Sequence, residues 1–287
     1  MNATIGALHL QSPILLGSCD LFVDAAAVRR FSGPHIGAVI LKTTTREATT
    51  GYPRPHVALP GPGAVLVASG MANPGIDAMC RLVRDLPDVP LMGSVATPDL
   101  AADYAEAGVL AVELNLSCPH TPGGVVPAHD PVLVAAAVRR AKQDCPVPVI
   151  AKLTGWHCDI VRTAVAAQQA GADAISLSNL FPGVGYYTGL VPHAHPYRVG
   201  EPLLGNVVGA YTGASFLFGV LHMIACVRRE VDLPLIATGG CCSSVDALAQ
   251  TAIAGASAVA TVTPLYQGAD LASLYHDYLN WSRTHGY

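Results

Sequence analysis

Short apolar runs alternate with longer amphipathic stretches along the whole chain. The runs are nearly continuous in Val, Ile, Leu and Ala, as is typical of parallel strands buried on both faces. They predict eight strands, at residues 13–17, 37–41, 90–93, 110–114, 147–152, 172–177, 233–237 and 256–261. The stretches between them predict eight helices, at residues 24–31, 75–86, 99–106, 130–143, 159–169, 215–231, 245–254 and 271–284.

Eight strands alternating with eight helices favour an α/β fold, a (β/α)8 TIM barrel that forms one domain over residues 1–287. An open, doubly wound sheet is the alternative, but no GxGxxG turn joins a strand to a helix here. Two connections are long, residues 43–73 after the second predicted strand and residues 180–212 after the sixth. Long loops in compact domains usually serve binding or catalysis, so both are expected near a site.

Composition narrows the classes of protein that remain. Hydrophobic residues make up 51% and charged residues 13% of the chain, which excludes a disordered protein. The net charge is −4 and basic residues do not cluster, which argues against a nucleic-acid partner. No apolar run is long enough to cross a bilayer, so we expect a cytoplasmic protein without a membrane partner. The eight cysteines show no metal-finger spacing and predict free thiols and no metal site.

Two lysines mark the predicted catalytic end of the barrel. Only three of the 16 basic residues are lysines, and Lys42 and Lys152 both stand at strand ends. Barrel enzymes place their chemistry at the carboxyl ends of the strands. The alternative is that both lysines are only ion-paired or extend along apolar surface towards water.

The most distinctive strand end is the fourth, where Asn115 is followed by Cys118 in a turn. We expect this turn to be exposed, which would let the cysteine act as a nucleophile or as a general acid or base. At the end of the seventh strand, Gly239 and Gly240 allow the backbone to approach a ligand closely. Loops after strands seven and eight often bind phosphate in this fold.

These residues fall in runs that resemble the class 1 dihydroorotate dehydrogenases and the related pyrimidine-reducing domain of dihydropyrimidine dehydrogenase. The most specific run is ELNLSCPH at residues 113–120. Further runs are GMANPGID at 70–77, VIAKLT at 149–154, TGG at 238–240 and AGASAV at 254–259. They occur in the family's order and span nearly the whole chain.

The resemblance implies an FMN-containing barrel that passes a hydride between a substrate carbon and flavin N5. It implies Cys118 as the catalytic acid or base, with Lys42 also in a catalytic position close to the flavin. The substrate contacts that it implies are Lys42, Asn73, Asn115, His120 and Asn179. The FMN contacts that it implies are Ser18, Lys42, Thr43, Asn115, Lys152, Ser178, Gly213, Gly239, Gly240 and Thr263. It also implies a small-molecule substrate, a homodimer and room for an electron-transfer partner subunit.

Three positions depart from the family's pattern. His120 stands where dihydroorotate enzymes usually have Asn, although the dihydropyrimidine dehydrogenase domain has His there. Leu180 stands where the family has a Ser or Thr against the substrate, and Val262 replaces a Gly at the phosphate corner. These departures keep the substrate open between dihydroorotate, another dihydropyrimidine and a different unsaturated metabolite.

Two other functions remain as alternatives on the residues alone. Lys152 at a central strand end would suit a Schiff-base lyase. A paralogue that binds FMN or a partner without turnover is the other alternative. Cys118 argues against an inactive protein, because such a chain gains nothing from an acid or base at that position.

Overall fold

Fourteen strands and nine α-helices make up the described part of the computed structural model, which covers residues 3–61, 63–118, 125–156, 158–190 and 197–287. The strands are β1 Ala3–Ile5, β2 Leu8–Leu10, β3 Ile14–Leu16, β4 Ala38–Ile40, β5 Val57–Gly61, β6 Ala64–Val67, β7 Leu91–Val95, β8 Val112–Asn115, β9 Val149–Leu153, β10 Ala174–Leu177, β11 Phe181–Gly183, β12 Gly209–Gly213, β13 Leu235–Thr238 and β14 Ala258–Thr261. The helices are α1 Ala25–Phe31, α2 Ile76–Arg84, α3 Ala101–Ala107, α4 Pro131–Asp144, α5 Ile160–Gln169, α6 Leu217–Val227, α7 Val245–Ile253, α8 Thr263–Gln267 and α9 Leu271–His285.

Eight of the strands close into a parallel barrel in the order β3-β4-β7-β8-β9-β10-β13-β14, with β14 pairing back to β3. All eight strands predicted from the apolar runs are barrel strands, so the (β/α)8 fold is confirmed and the open sheet is excluded. Most of these strands are buried at every residue, because one face meets the barrel interior and the other meets the helices.

Five of the nine α-helices in the described ranges begin at a side-chain cap. Asp24, Asp130, Asp159 and Asp270 each accept hydrogen bonds from backbone N–H groups of the first turn of the following helix. Ser244 does the same for α7. These side chains satisfy backbone donors that the helix itself leaves unpaired.

The amino-terminal hairpin closes the lower end of the barrel. Strands β1 and β2 pair antiparallel, and the hairpin residues Ile5 and Leu10 pack into a cluster with interior residues such as Ile40 and Ile150. The opposite end, where the strands have their carboxyl termini, is the end that opens into a cavity.

The two long connections fold together over that open end. Strands β5 and β6 come from the first connection and β11 and β12 from the second, and they form one antiparallel sheet in the order β11-β12-β6-β5. We call this sheet the lid. Phe181 of the lid lies 4.7 Å from Phe216 and 5.5 Å from Trp156, measured between ring centroids, which anchors the sheet to the barrel rim. Sequence analysis predicted loops here and missed the sheet.

Candidate active site

A cavity of about 470 Å³ lies between the carboxyl ends of the barrel strands and the lid. This volume is within the range of small-molecule and cofactor sites. The cavity brings together ten of the residues that the sequence singled out: Ser18, Lys42, Thr43, Asn115, Cys118, Lys152, Asn179, Gly239, Gly240 and Thr263.

Lys152 lines the floor of this cavity, and Glu113 lies buried behind it. Lys152 Nζ lies 3.2 Å from Glu113 Oε1, and the Glu113 side chain is fully buried. Ser94 Oγ donates to the same carboxylate oxygen at 3.4 Å. Within the described chain, Glu113 Oε2 has no hydrogen-bond partner. The ion pair holds a cation at the base of the cavity.

Hydroxyl and amide groups continue from this floor across the strand ends. Thr43 Oγ1 is 3.0 Å from Ser94 Oγ and accepts a hydrogen bond of 3.0 Å from Asn115 Nδ2. Ser18 Oγ accepts from the Thr43 backbone N–H at 2.9 Å. These bonds fix the side chains in one orientation before a ligand enters, which is the condition for strong polar recognition.

Asn179 completes the network on the far side of Asn115. Its Nδ2 group donates to Asn115 Oδ1 at 3.1 Å and to Ser117 Oγ at 2.9 Å. Its Oδ1 accepts from the Leu180 backbone N–H at 2.9 Å. The Leu180 side chain therefore sits beside the amides and presents an apolar surface to the cavity.

Lys42 forms a second charged cluster at the edge of the cavity. Its Nζ lies 2.5 Å from Asp20 Oδ1 and donates to Ser69 Oγ at 2.9 Å. His56 Nδ1 is 3.1 Å from the other carboxylate oxygen of Asp20, and His56 Nε2 is 2.8 Å from the Tyr52 carbonyl oxygen. Both ring nitrogens of His56 thus face oxygen atoms, which fixes the orientation of the ring beside Asp20.

Cys118 is buried rather than exposed, which corrects the expectation of an open turn. Only 9% of the residue is accessible, and its Sγ lies 3.3 Å from Met71 Sδ. Met71 has a positive φ of 65°, an uncommon conformation for a residue with a side chain. The loop before α2 thus covers the thiol, although both residues line the cavity.

A second thiol in the cavity wall differs from Cys118 in its surroundings. Burial raises the pKa of Cys19 to about 11, although the nearby Leu21 backbone N–H and Lys42 charge lower it. The Cys19 thiol consequently stays protonated at neutral pH and is a poor nucleophile.

The glycine corner lies at the ends of β13 and β14. Gly239 and Gly240 both have positive φ, and a Cβ on Gly240 would come within 2.6 Å of the Gly213 carbonyl oxygen. Val262 lines the cavity, and its Cγ2 lies 3.0 Å from the position of a Cβ on Gly17. The Val262 side chain therefore fills space at the corner that a glycine would leave open.

Three predicted contact residues do not line the cavity. Asn73 uses its side chain to hold the loop before α2, because it donates to Thr45 Oγ1 and the Met71 carbonyl and accepts from the Gly75 N–H. Ser178 is fully buried and donates to the Asn179 carbonyl oxygen. Gly213 packs against Gly63, where any side chain would overlap the carbonyl oxygen of that residue. His120 lies outside the described residues.

Asp20, His56, Glu113 and Ser94 are polar residues of the site that sequence reasoning did not select. Asp20 had a signal, because it follows the first strand end by only a few residues. Glu113 stood inside the motif but received no role. His56 lies in a long connection without periodicity, and only the folded lid brings it to Asp20.

A closed barrel with a polar, charged cavity at its carboxyl-terminal strand ends defines a (β/α)8-barrel protein with an enzyme-type site. The family model for dihydroorotate dehydrogenase matches residues 1–280. The chain therefore belongs to the dihydroorotate dehydrogenase family, and the resemblance seen in the sequence is confirmed.

Curated relatives agree with this assignment. A dihydroorotate dehydrogenase A (fumarate) from Lacticaseibacillus paracasei is 36% identical over 93% of this chain and 92% of the relative. The protein of the same name from Lactobacillus helveticus is 33% identical over 90% of this chain and 85% of the relative. The catalytic subunit of dihydroorotate dehydrogenase B (NAD(+)) from Desulforudis audaxviator is 35% identical over 90% of this chain and 84% of the relative.

Proposed function

We propose that this protein is an FMN-dependent oxidoreductase acting on a CH–CH bond of dihydroorotate or a related dihydropyrimidine-like ring. The observation that carries the proposal is the convergence of Cys118, Asn115, Asn179 and the two lysines on one cavity, in a chain of this family. When bound, FMN supplies the two-electron chemistry, with flavin N5 taking the hydride from a substrate carbon.

The donor set at the base of the cavity fits FMN. Lys152, Asn115 and the hydroxyl groups of Ser18 and Thr43 offer donors to the carbonyl and nitrogen edge of a flavin ring, and the Lys152 cation suits the negative charge of the reduced ring. Gly239, Gly240 and Thr263 provide a corner for the phosphate. Gly213 and Ser178 take part indirectly, since they support the backbone behind this wall.

Cys118 is the group that exchanges a proton with the substrate carbon next to the one that exchanges hydride. Its thiol lies in the cavity wall and is held by the loop of Met71. A position in the cavity wall and away from bulk water lets the sulfur exchange its proton with a bound substrate rather than with solvent. Met71 acts as a positioning residue in this proposal.

Asn115, Asn179 and Lys42 bind and orient the substrate ring. After the bonds of this network, Asn115 keeps one N–H of its Nδ2 group and Asn179 keeps one acceptor site on Oδ1, so the two amides together offer a donor and an acceptor to a planar ring that alternates N–H and C=O groups. Hydrogen bonds between Asn115 and Asn179 hold the two amides in a fixed arrangement. Lys42 lies across the cavity edge from them and supplies the positive charge.

The Schiff-base lyase is not favoured by the geometry. Its nucleophile would have to be Lys152, yet that nitrogen is already engaged in an ion pair with the fully buried Glu113 carboxylate at 3.2 Å. An ammonium group has no lone pair with which to attack a carbonyl carbon.

An absorbance spectrum of the purified protein tests the proposal directly. We expect flavin bands that bleach anaerobically on addition of a dihydropyrimidine. The Cys118→Ala variant should keep its flavin, but the rate at which the substrate reduces that flavin should fall about 10²–10⁴-fold, the usual contribution of a general acid or base. The Cys19→Ala variant, which removes the other cavity thiol, is the matched control. Colourless protein that takes up no FMN, or unchanged kinetics in Cys118→Ala, would contradict the proposal or its assignment of the proton.

The sequence also led to predictions about location, assembly and domain organisation. No helix within the described ranges is long and apolar enough to cross a membrane. The cytoplasmic location, the homodimer and the electron-transfer partner subunit stay predictions from the sequence. The single domain over residues 1–287 is likewise part of the proposal.

A further inference from the structure

Asp20 places a carboxylate where the proposed substrate must bind. It lines the cavity together with Lys42, and its side chain is 25% exposed there. Its Oδ1 is held by Lys42 and its Oδ2 by His56. Each oxygen keeps a second acceptor site after these bonds, so the cavity edge presents an N–H donor of Lys42 beside an oxygen acceptor of Asp20.

This edge attracts a negatively charged group only weakly, because the Asp20 carboxylate offsets the charge of Lys42. A substrate carboxylate oxygen bonded to Lys42 Nζ at about 2.8 Å would lie within about 5 Å of Asp20 Oδ1, because Nζ is itself 2.5 Å from that atom. Two carboxylates at that separation repel each other strongly in a partly desolvated site. Asp20 therefore cancels part of the attraction that Lys42 would otherwise give to a substrate carboxylate.

The lid above this edge offers little to replace the lost attraction. Among its cavity-facing residues, Thr212 alone has a polar side chain; the others are Val65, Val67, Pro182, Gly209 and Ala210. Leu180 and Met71 add further apolar surface to the wall. A charged group that moved from Lys42 towards the lid would lose hydration and meet no cationic side chain among the cavity-facing residues of that sheet.

We propose that Asp20 makes this site selective for an uncharged ring with a cis-amide edge, an N–H beside a C=O, and selects against the same ring bearing a carboxylate. The N–H of the ring donates to Asp20 and the C=O of the ring accepts from Lys42. The Asp20–Lys42 pair therefore binds both groups of the amide. His56 is a positioning residue that holds Asp20 from the side away from the ligand. This inference rests on the proposed function and names the substrate class within it.

Titrations of the flavin spectrum with uracil and with orotate test the inference, since these rings differ by one carboxylate. We expect the wild type to bind uracil about tenfold or more tightly than orotate. The Asp20→Asn variant keeps the size of the side chain but removes its charge. It should bind orotate more tightly and uracil more weakly, so that the ratio of the two dissociation constants shifts by about tenfold or more.

Asp99→Asn is the matched control, because it removes one negative charge from a carboxylate that pairs with Arg46 and does not line the cavity. It should leave the ratio unchanged. Tighter binding of orotate by the wild type, a ratio that does not move in Asp20→Asn, or failure of both rings to perturb the flavin would each overturn the inference. In each of these three cases, the proposed function would still hold if the protein contained flavin and a substrate reduced it. A protein that bound no flavin would instead contradict the proposed function itself.

Discussion

The two lysines of the site are each paired with a carboxylate, but the two pairs lie in different surroundings. Lys152 and Glu113 are 8% and 0% exposed at their side chains, on neighbouring barrel strands whose register is fixed by the ladder. Lys42 and Asp20 are 10% and 25% exposed, and Asp20 has His56 as a second partner. The first pair is rigid and depends on one partner, whereas the second shares its charge among three side chains from different loops.

This difference separates two tasks within one cavity. A buried pair on adjacent strands can hold a constant charge beneath a cofactor, because the paired strands fix both backbones and burial limits the room for the side chains. The Lys42–Asp20–His56 cluster lies between loops and can bind a substrate, because Lys42 and Asp20 face the cavity. We therefore expect substitutions at the two lysines to have different consequences.

The largest effect is expected for Lys152→Met. Loss of the cation leaves the Glu113 carboxylate buried without an opposite charge, which costs about 3–5 kcal/mol of unfolding free energy when one partner of a buried pair is removed. Denaturant unfolding monitored by circular dichroism measures this cost. Adding Glu113→Gln in the double variant should restore much of the loss, and a double variant no more stable than Lys152→Met would show that the pair is not the cause.

A smaller effect is expected for Lys42→Met. Asp20 keeps His56 as a partner and is partly exposed, so the loss of unfolding free energy should be about 1 kcal/mol. The same unfolding experiment provides the comparison, while binding of a substrate ring should weaken much more than stability does. A stability loss as large as that of Lys152→Met would erase the distinction between the two pairs.

The smallest effect is expected for Ser94→Ala. Ser94 Oγ connects the Glu113 carboxylate to Thr43, the residue after Lys42. Removing this hydroxyl breaks two neutral or weak hydrogen bonds and should cost about 1 kcal/mol or less. A double-mutant cycle with Lys42→Met then measures whether the two charged regions are coupled. Costs that add independently would confirm that they act separately.

The barrel could be predicted from the sequence because each strand carries its own signal. A run of apolar residues buried on both faces identifies a strand without knowledge of its neighbours, and Asp or Ser caps mark helix starts. The lid gave no such signal. Phe181–Gly183 and Gly209–Gly213 are short, glycine-containing segments that become strands only by pairing with each other and with Ala64–Val67.

The residues of the candidate site also fall into two groups, those that the sequence could place and those that it could not. Residues at strand ends, such as Lys152 and Asn115, were predicted correctly to line one cavity, because the fold alone brings strand ends together. Asn73 belongs to a matching motif, yet its side chain is fully used in holding a loop. His56 reaches Asp20 only through the lid, so no local pattern could have assigned it.

The lid also constrains how this protein can diversify. Its central contact joins β6 to β12, two strands that lie more than a hundred residues apart in the chain. An insertion or deletion in one of these connections shifts the register against the other and moves the apolar wall above the cavity. The two connections thus form one structural unit. Replacing the lid with that of a relative, in order to change the substrate, requires transfer of both connections together.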